Sequence, residues 1–211
     1  MGSNPTPAAY HRLAVFAKSK RVPVRNRSNR MTQGPVFESV LAAAQDGADW
    51  ALTVLYRDLH PPLLRYLSAQ EPVEGEDLAS EVWLDVAYGL SRFEGDESAF
   101  RCWLFTIARR RLIDLRRTRT RRRTAPVPLE QLIDRPDPDE TFAGVETGEA
   151  LACLAALPRA QAEIVLLRVV AGLDSYEVAA VTGRKPGTVR VMQKRALERL
   201  AELVPSKQRV L

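Results

Sequence analysis

The sequence predicts an all-α protein with two helical blocks joined by a linker. Apolar residues recur every three or four positions along most of the chain, alternating strand patterns are scarce, and a Pro-rich acidic stretch interrupts the helical pattern once.

The elements follow in chain order. A short first helix fits Phe37 to Gln45, with Phe37, Val40, Leu41 and Ala44 on one face. A second fits about Asp49 to Ala69, with Trp50, Val54, Leu55, Leu59, Leu63 and Leu67 inward. Pro61 and Pro62 fall inside it and predict a kink or a break, because each removes a backbone donor. A third runs from Gly75 to about Leu90, burying Leu78, Val82, Val86 and one side of Trp83. After a loop, Ser91 to Ser98, a fourth helix spans Ala99 to Arg117, with Phe100, Trp103, Leu104 and Ile107 at helical spacing.

Residues 118 to about 145 are rich in Thr, Pro and acids and read as a linker, with at most one helical turn near Leu129 to Ile133. Helical pattern resumes at Ala150 to Leu157. It continues from Pro158 to Gly172, with Ile164, Leu167, Val169 and Val170 inward and Gly172 as a glycine stop. Asp174-Ser-Tyr-Glu177 is a capping box opening a helix over Ser175 to Thr182. Gly183 supplies a turn, and Pro186 occupies the first position of a last helix that ends near Val204, before Pro205. Two helices joined in this way form a helix-turn-helix. Val189, Met192, Ala196, Leu200 and Leu203 mark the packed face of its second helix.

Charge is segregated along the 211 residues. The net +5 hides seven bases and no acids in residues 1–35, and 13 acids against three bases in 36–100. Residues 101–123 hold ten bases against one acid, residues 124–150 seven acids against one base, and the remainder ten bases against five acids. Such blocks imply different partners for different segments. The densest run is Arg109, Arg110, Arg111, Arg116, Arg117, Arg119, Arg121, Arg122 and Arg123, opposed only by Asp114. Aromatics followed by arginines suit single-stranded nucleic acid, where bases stack and phosphates are neutralised; a solvated helix end leading into a basic linker is the plainer alternative. In the last helix, Arg190, Gln193 and Lys194 share a face at i, i+3 and i+4. Arg190 suits guanine and Gln193 suits adenine in the major groove. Arg184, Lys185 and Thr188, at the helix start, suit phosphates.

Composition narrows the class. The only cysteines are Cys102 and Cys153 and the only histidines His11 and His60, without the spacing of a zinc site or a disulfide framework. No metal or cofactor is expected, and a cytoplasmic location fits. No apolar run reaches the ~18 residues of a membrane span, so no membrane insertion is expected. Residues 1–35 read as a basic arm, with Met31 an alternative start.

Taken in order, LYRDLHPPLLRYL (Leu55 to Leu67), EDLASEVWLDV (Glu76 to Val86), FRCWLFTIARRRLIDLRR (Phe100 to Arg117), ALPRAQAEIVLLRVVAGLDSYEVAAVTG (Ala156 to Gly183) and KPGTVRVMQKRALERL (Lys185 to Leu200) resemble an extracytoplasmic-function (ECF) sigma factor of bacterial RNA polymerase. The resemblance covers roughly residues 50 to 204. It implies sigma region 2 over 36–117, a linker over 118–147, region 4 over 148–204 and a tail over 205–211. The core-polymerase surface would be the acidic helix, through Asp77, Glu81, Trp83 and Leu84, docked on the clamp of the largest subunits. Promoter melting at the minus-ten element would involve Arg92, Phe93, Trp103, Arg109, Arg110, Arg116 and Arg117, although the period of Trp103 with Phe100 and Ile107 makes it chiefly a core residue. The minus-thirty-five element would meet Arg184, Lys185, Thr188, Arg190, Gln193 and Lys194. Promoter DNA, core RNA polymerase and an anti-sigma factor are the implied partners, and no catalysis is implied. Departures from the family pattern are Arg110 in place of Asn, Ser80 in place of Gln, Lys185 in place of a Ser cap and Val191 in place of Ser. The competing readings are a helix-turn-helix regulator acting without polymerase and a hydrolase built on Glu76, Asp77 and Glu81. The acidic helix before the aromatic-arginine helix weighs against the first, and the absence of metal-site spacing against the second.

Overall fold

The computed structural model describes residues 35–124 and 152–203, and every regular element among them is helical. The arm, most of the linker and the tail lie outside the described residues. Helix α1 (Pro35–Gln45) leads into α2 (Asp49–Ser68) and α3 (Gly75–Gly89). A short 3-10 turn (Leu90–Arg92) then precedes the long α4 (Glu97–Thr124). The second block opens with a helical turn at 152–155, followed by α5 (Arg159–Val165), a π turn (Leu166–Val170), α6 (Ser175–Thr182) and α7 (Pro186–Leu203).

Helix α4 is the axis of the first block. Phe100, Leu104, Phe105, Ala108 and Leu112 are all 0% exposed along it. Phe105 meets Tyr66 of α2 edge-on at 5.4 Å, and Phe100 meets Phe37 of α1 at 5.7 Å. The apolar cluster continues into the second block through Ile164, Leu166, Leu173, Val178 and Val189. Gln45 ties α1 to the end of α3 by donating from Nε2 to the carbonyls of Leu90 (2.9 Å) and Phe93 (2.8 Å).

Several sequence expectations change. Helix α2 is continuous through Pro61 and Pro62. Buried Leu59, Leu63 and Leu67 hold the helix against the core, and this packing outweighs the two donors that the prolines remove. Trp50, expected inward, is exposed at the start of α2. Helix α4 runs past Arg117 to Thr124, because tertiary acceptors support it. Arg119 reaches Glu71 and Glu74, and the hydroxyls of Thr118 and Thr120 donate to the carbonyls four residues earlier. The expected helix from Pro158 to Gly172 widens into a π turn, where the Ala171 N–H donates to Leu166 O at 3.1 Å. The wider turn buries Leu166 and Leu167 and turns Val169 outward, against its expected burial. Leu203, expected on the packed face of α7, is also exposed.

His60 lies half-buried in α2, stacked on Tyr56 at 4.5 Å and accepting from the Trp83 indole N–H on Nδ1 at 3.3 Å. Burial lowers its pKa from the ordinary histidine value. The unfolded chain therefore takes up this proton first, so stability falls as pH drops below about 6.5 and levels off beneath the folded-state pKa. Urea denaturation between about pH 7 and pH 5 should show that loss, and His60→Gln should reduce it. An unchanged pH slope in the variant would exclude the assignment.

Candidate nucleic-acid interface

The helix-turn-helix forms as its local sequence dictates. The Asp174 carboxylate accepts from the backbone N–H groups of Tyr176 (2.7 Å) and Glu177 (2.8 Å), and the Glu177 side chain accepts from the Asp174 N–H. Gly183 closes α6 in the left-handed region at φ 68°, a conformation that costs glycine little. Helix α7 then starts at Pro186 and buries Val189 and Ala196. Arg184, Lys185, Thr188, Arg190 and Lys194 are exposed. Arg190 lies over the Tyr176 ring at 5.3 Å and donates to Ser175 Oγ at 3.3 Å. Gln193 departs from the expected outer face. It is half-buried, and its amide oxygen accepts from Arg168 Nε at 3.1 Å. Val191, not among the expected contact residues, is 50% exposed.

The expected minus-ten residues divide into a core group, a paired group and an exposed group. Trp103 is half-buried, stacked on Phe93 at 5.0 Å and edge-on to Phe100 at 5.5 Å. Its ring lies so close to Gly89 that a Cβ there would come within 2.6 Å, which makes Trp103 chiefly a core residue. Arg109 pairs with Glu163 at 3.0 Å, and Arg116 with Glu71 at 2.7 Å. Arg92 is exposed. Arg110 and Arg117 are also open to solvent and only graze Asp114, at 3.9 and 4.0 Å.

On α3, Asp77 and Glu81 are exposed and Leu84 is half-exposed, so all three share an outward face. Trp83 does not join them. It is 2% exposed, in the core beside Tyr56, because it lies more than a third of a turn away from the middle of that face. Tyr88, one turn beyond Leu84 and two beyond Glu81, extends the face and is 66% exposed. The i, i+3, i+7 spacing from Glu81 was the sequence signal for it. Arg111 of α4 braces α3 by donating to both oxygens of Asp85, from Nε at 2.6 Å and Nη2 at 2.5 Å. That bonding, with the nearby Asp85 and Glu81 charges, raises its pKa further.

Helix α6 lies against α4. Ser98 donates to the Glu177 carboxylate, and the Cys102 thiol faces the Glu177 carbonyl at 3.9 Å. Burial there raises the Cys102 pKa, so the thiol stays protonated. Arg109–Glu163 and Arg159–Glu71 (3.1 Å) are further ion pairs between the blocks. In this closed arrangement the second block covers one side of the aromatic-arginine helix. Among the described residues no His, Cys, Asp and Glu group could hold a metal, and no helix is long and apolar enough to cross a membrane.

A helix-turn-helix with an open cationic face, preceded by a helical block carrying an acidic helix and an aromatic-arginine helix, is the layout of a helical transcription factor. Family models agree block by block: Sigma-70 region 2 matches residues 55–122 and Sigma-70, region 4 matches residues 147–200. The ECF RNA polymerase sigma factor ShbA of Streptomyces griseus is 34% identical over 181 residues, covering 80% of this chain and 95% of its own length. SigD of Mycobacterium tuberculosis is 34% identical over 181 residues, covering 81% and 84%. Among solved structures, the sigma factor RpoE in complex with the anti-sigma factor NepR from Bartonella quintana shares the fold. Its TM-score is 0.58 at 24% identity, covering 72% of this chain and 95% of that one. The chain belongs to the ECF sigma factors, the promoter-specific initiation factors of RNA polymerase. With both regions matched in order, the reading as a regulator independent of polymerase is set aside.

Two outcomes are expected. Asp174→Ala removes an acceptor for two N–H groups and should cost about 1 kcal/mol of second-block stability in thermal denaturation. Arg109→Glu should loosen the two blocks, raising the radius of gyration in small-angle scattering. Adding Glu163→Arg should restore it, and failure of the double swap would show that this pair does not hold them.

Proposed function

We propose that the two DNA-facing elements divide promoter recognition. Helix α7, through Arg190 and Lys194 with Arg184, Lys185 and Thr188 on phosphates, reads the minus-thirty-five element. Arg92, Arg110 and Arg117 carry the strand-opening surface at the minus-ten element, joined by Arg109 when Glu163 leaves with the second block. Phe93 and Trp103 form the aromatic wall beside it. The outward face of α3, with Asp77, Glu81, Leu84 and Tyr88, docks on the clamp of core RNA polymerase. The role is non-catalytic and cytoplasmic. An anti-sigma factor is the expected regulator, since the sigma factor RpoE, which shares this fold, has been solved with the anti-sigma factor NepR.

The observation that carries this reading is the survival of two separate cationic faces after internal pairing is counted. The α7 face is exposed over a packed core, and Arg92, Arg110 and Arg117 remain exposed on the first block. The closed arrangement adds a requirement: the second block must leave α4 before both promoter elements are engaged together.

Run-off transcription with core polymerase and a promoter library is the test. Promoter-dependent transcripts are expected, and their absence together with failure to co-purify with core enzyme overturns the reading. Arg190→Ala should cost ~1–3 kcal/mol of holoenzyme binding and relax upstream sequence preference. Joint neutralisation of Arg92, Arg110 and Arg117 should weaken binding across all sequences and flatten its salt dependence. Asp77→Lys with Glu81→Lys should abolish co-purification with core polymerase while leaving the helical circular dichroism intact.

A further inference from the structure

On the most outward line of α7 stands one apolar residue that the fold does not use; Leu197, also exposed, lies about a third of a turn away. Val191 is 50% exposed, whereas Val189 and Ala196 on the opposite side are fully buried. With 3.6 residues per turn, the helical neighbours of Val191 are Gly187, Thr188, Lys194 and Arg195. All four are exposed, so the valine stands alone among polar and cationic groups on the most outward line of the helix. Gln193, the expected partner of adenine, is turned inward and tied to Arg168. The outward readers are therefore Arg190 and Lys194, with Val191 between them in the sequence.

We propose that Val191 determines specificity at one base pair of the upstream promoter element, by seating its methyls against the 5-methyl group of a thymine in the major groove. This rests on the reading of α7 as the minus-thirty-five helix. Each base pair offers the major groove a distinct pattern, and thymine alone offers an apolar methyl. An isopropyl group has no hydrogen bond to give a base, so its contribution is contact with that methyl and loss of water from both. A serine at this position, with no methyl of its own, would leave the thymine methyl without an apolar partner.

Deoxyuridine differs from thymidine only by that methyl. Holoenzyme reconstituted with the full chain is measured by fluorescence anisotropy on a promoter selected by run-off transcription. Each thymine of the upstream element, on either strand, is replaced by deoxyuridine in turn. One replacement should weaken binding by about fourfold, which corresponds to roughly 0.8 kcal/mol for one buried methyl-sized group. In holoenzyme carrying Val191→Ser, the same replacement should have no effect, while replacements elsewhere act as in the unaltered protein. Equal effects in both proteins, no effect at any thymine, or an element lacking thymine overturns the inference. If Arg190→Ala still relaxes upstream preference under those outcomes, the assignment of α7 stands. If the holoenzyme selects no promoter, that assignment and the role of Val191 fall together.

Discussion

The burial of α4 on several sides at once sets the geometry of this molecule. A helix with Phe100, Leu104, Phe105, Ala108 and Leu112 wholly inside cannot rotate or slide without opening voids in a close-packed interior. Its register is therefore fixed, and with it the direction of every arginine that follows. Arg111 must meet α3, Arg116 and Arg119 must meet the turn after α2, and Arg109 must meet the second block. Arg110 and Arg117 are left facing water. The core thus selects which cations serve the fold and which are offered to a polyanion.

The alternating charge of the sequence takes on a second meaning in this arrangement. The acidic stretch and the arginine stretch were expected to serve different partners, yet they are in part partners of each other. Glu71, Glu74, Glu81 and Asp85 receive Arg111, Arg116 and Arg119. What remains outward is more separated than the sequence suggests: an acidic face on α3 bearing Asp77 and a cationic face on α7. Exposed ion pairs contribute little each and are screened by salt, whereas Glu71, at 9% side-chain exposure, is held by closer contacts.

Features written in short-range chemistry were legible in the sequence. The Asp174 capping box, the Gly183 turn and the Pro186 start depend on neighbours within a few positions, and each formed as expected. The order of the helices and the motifs of both regions were equally plain. Features set by distant contacts were not. Whether Trp83 faces the core or the surface depends on Tyr56 and His60 in another helix. Gln193 turns inward because Arg168 reaches it from the π turn, and the π turn itself carries no reliable local signature. The length of α4 depended on Glu71 and Glu74, about 45 positions earlier in the chain. Pro61 and Pro62 signalled a break that surrounding packing overrode.

The cluster around Glu71 has an uneven stoichiometry. While the blocks touch, three guanidinium groups, of Arg116, Arg119 and Arg159, share two carboxylates, those of Glu71 and Glu74. When the second block departs it takes Arg159 with it, and the remaining two cations and two anions balance. One corner of the contact thus sheds a surplus like charge on parting, which offsets part of the attraction lost there. Arg109 and Glu163 have no such compensation, because their separation strands one charge on each block. The interface is therefore asymmetric in its resistance to being pulled apart. It should part first at the end of α4 where the arginines crowd, and pivot about the opposite end where Ser98 and Cys102 meet Glu177.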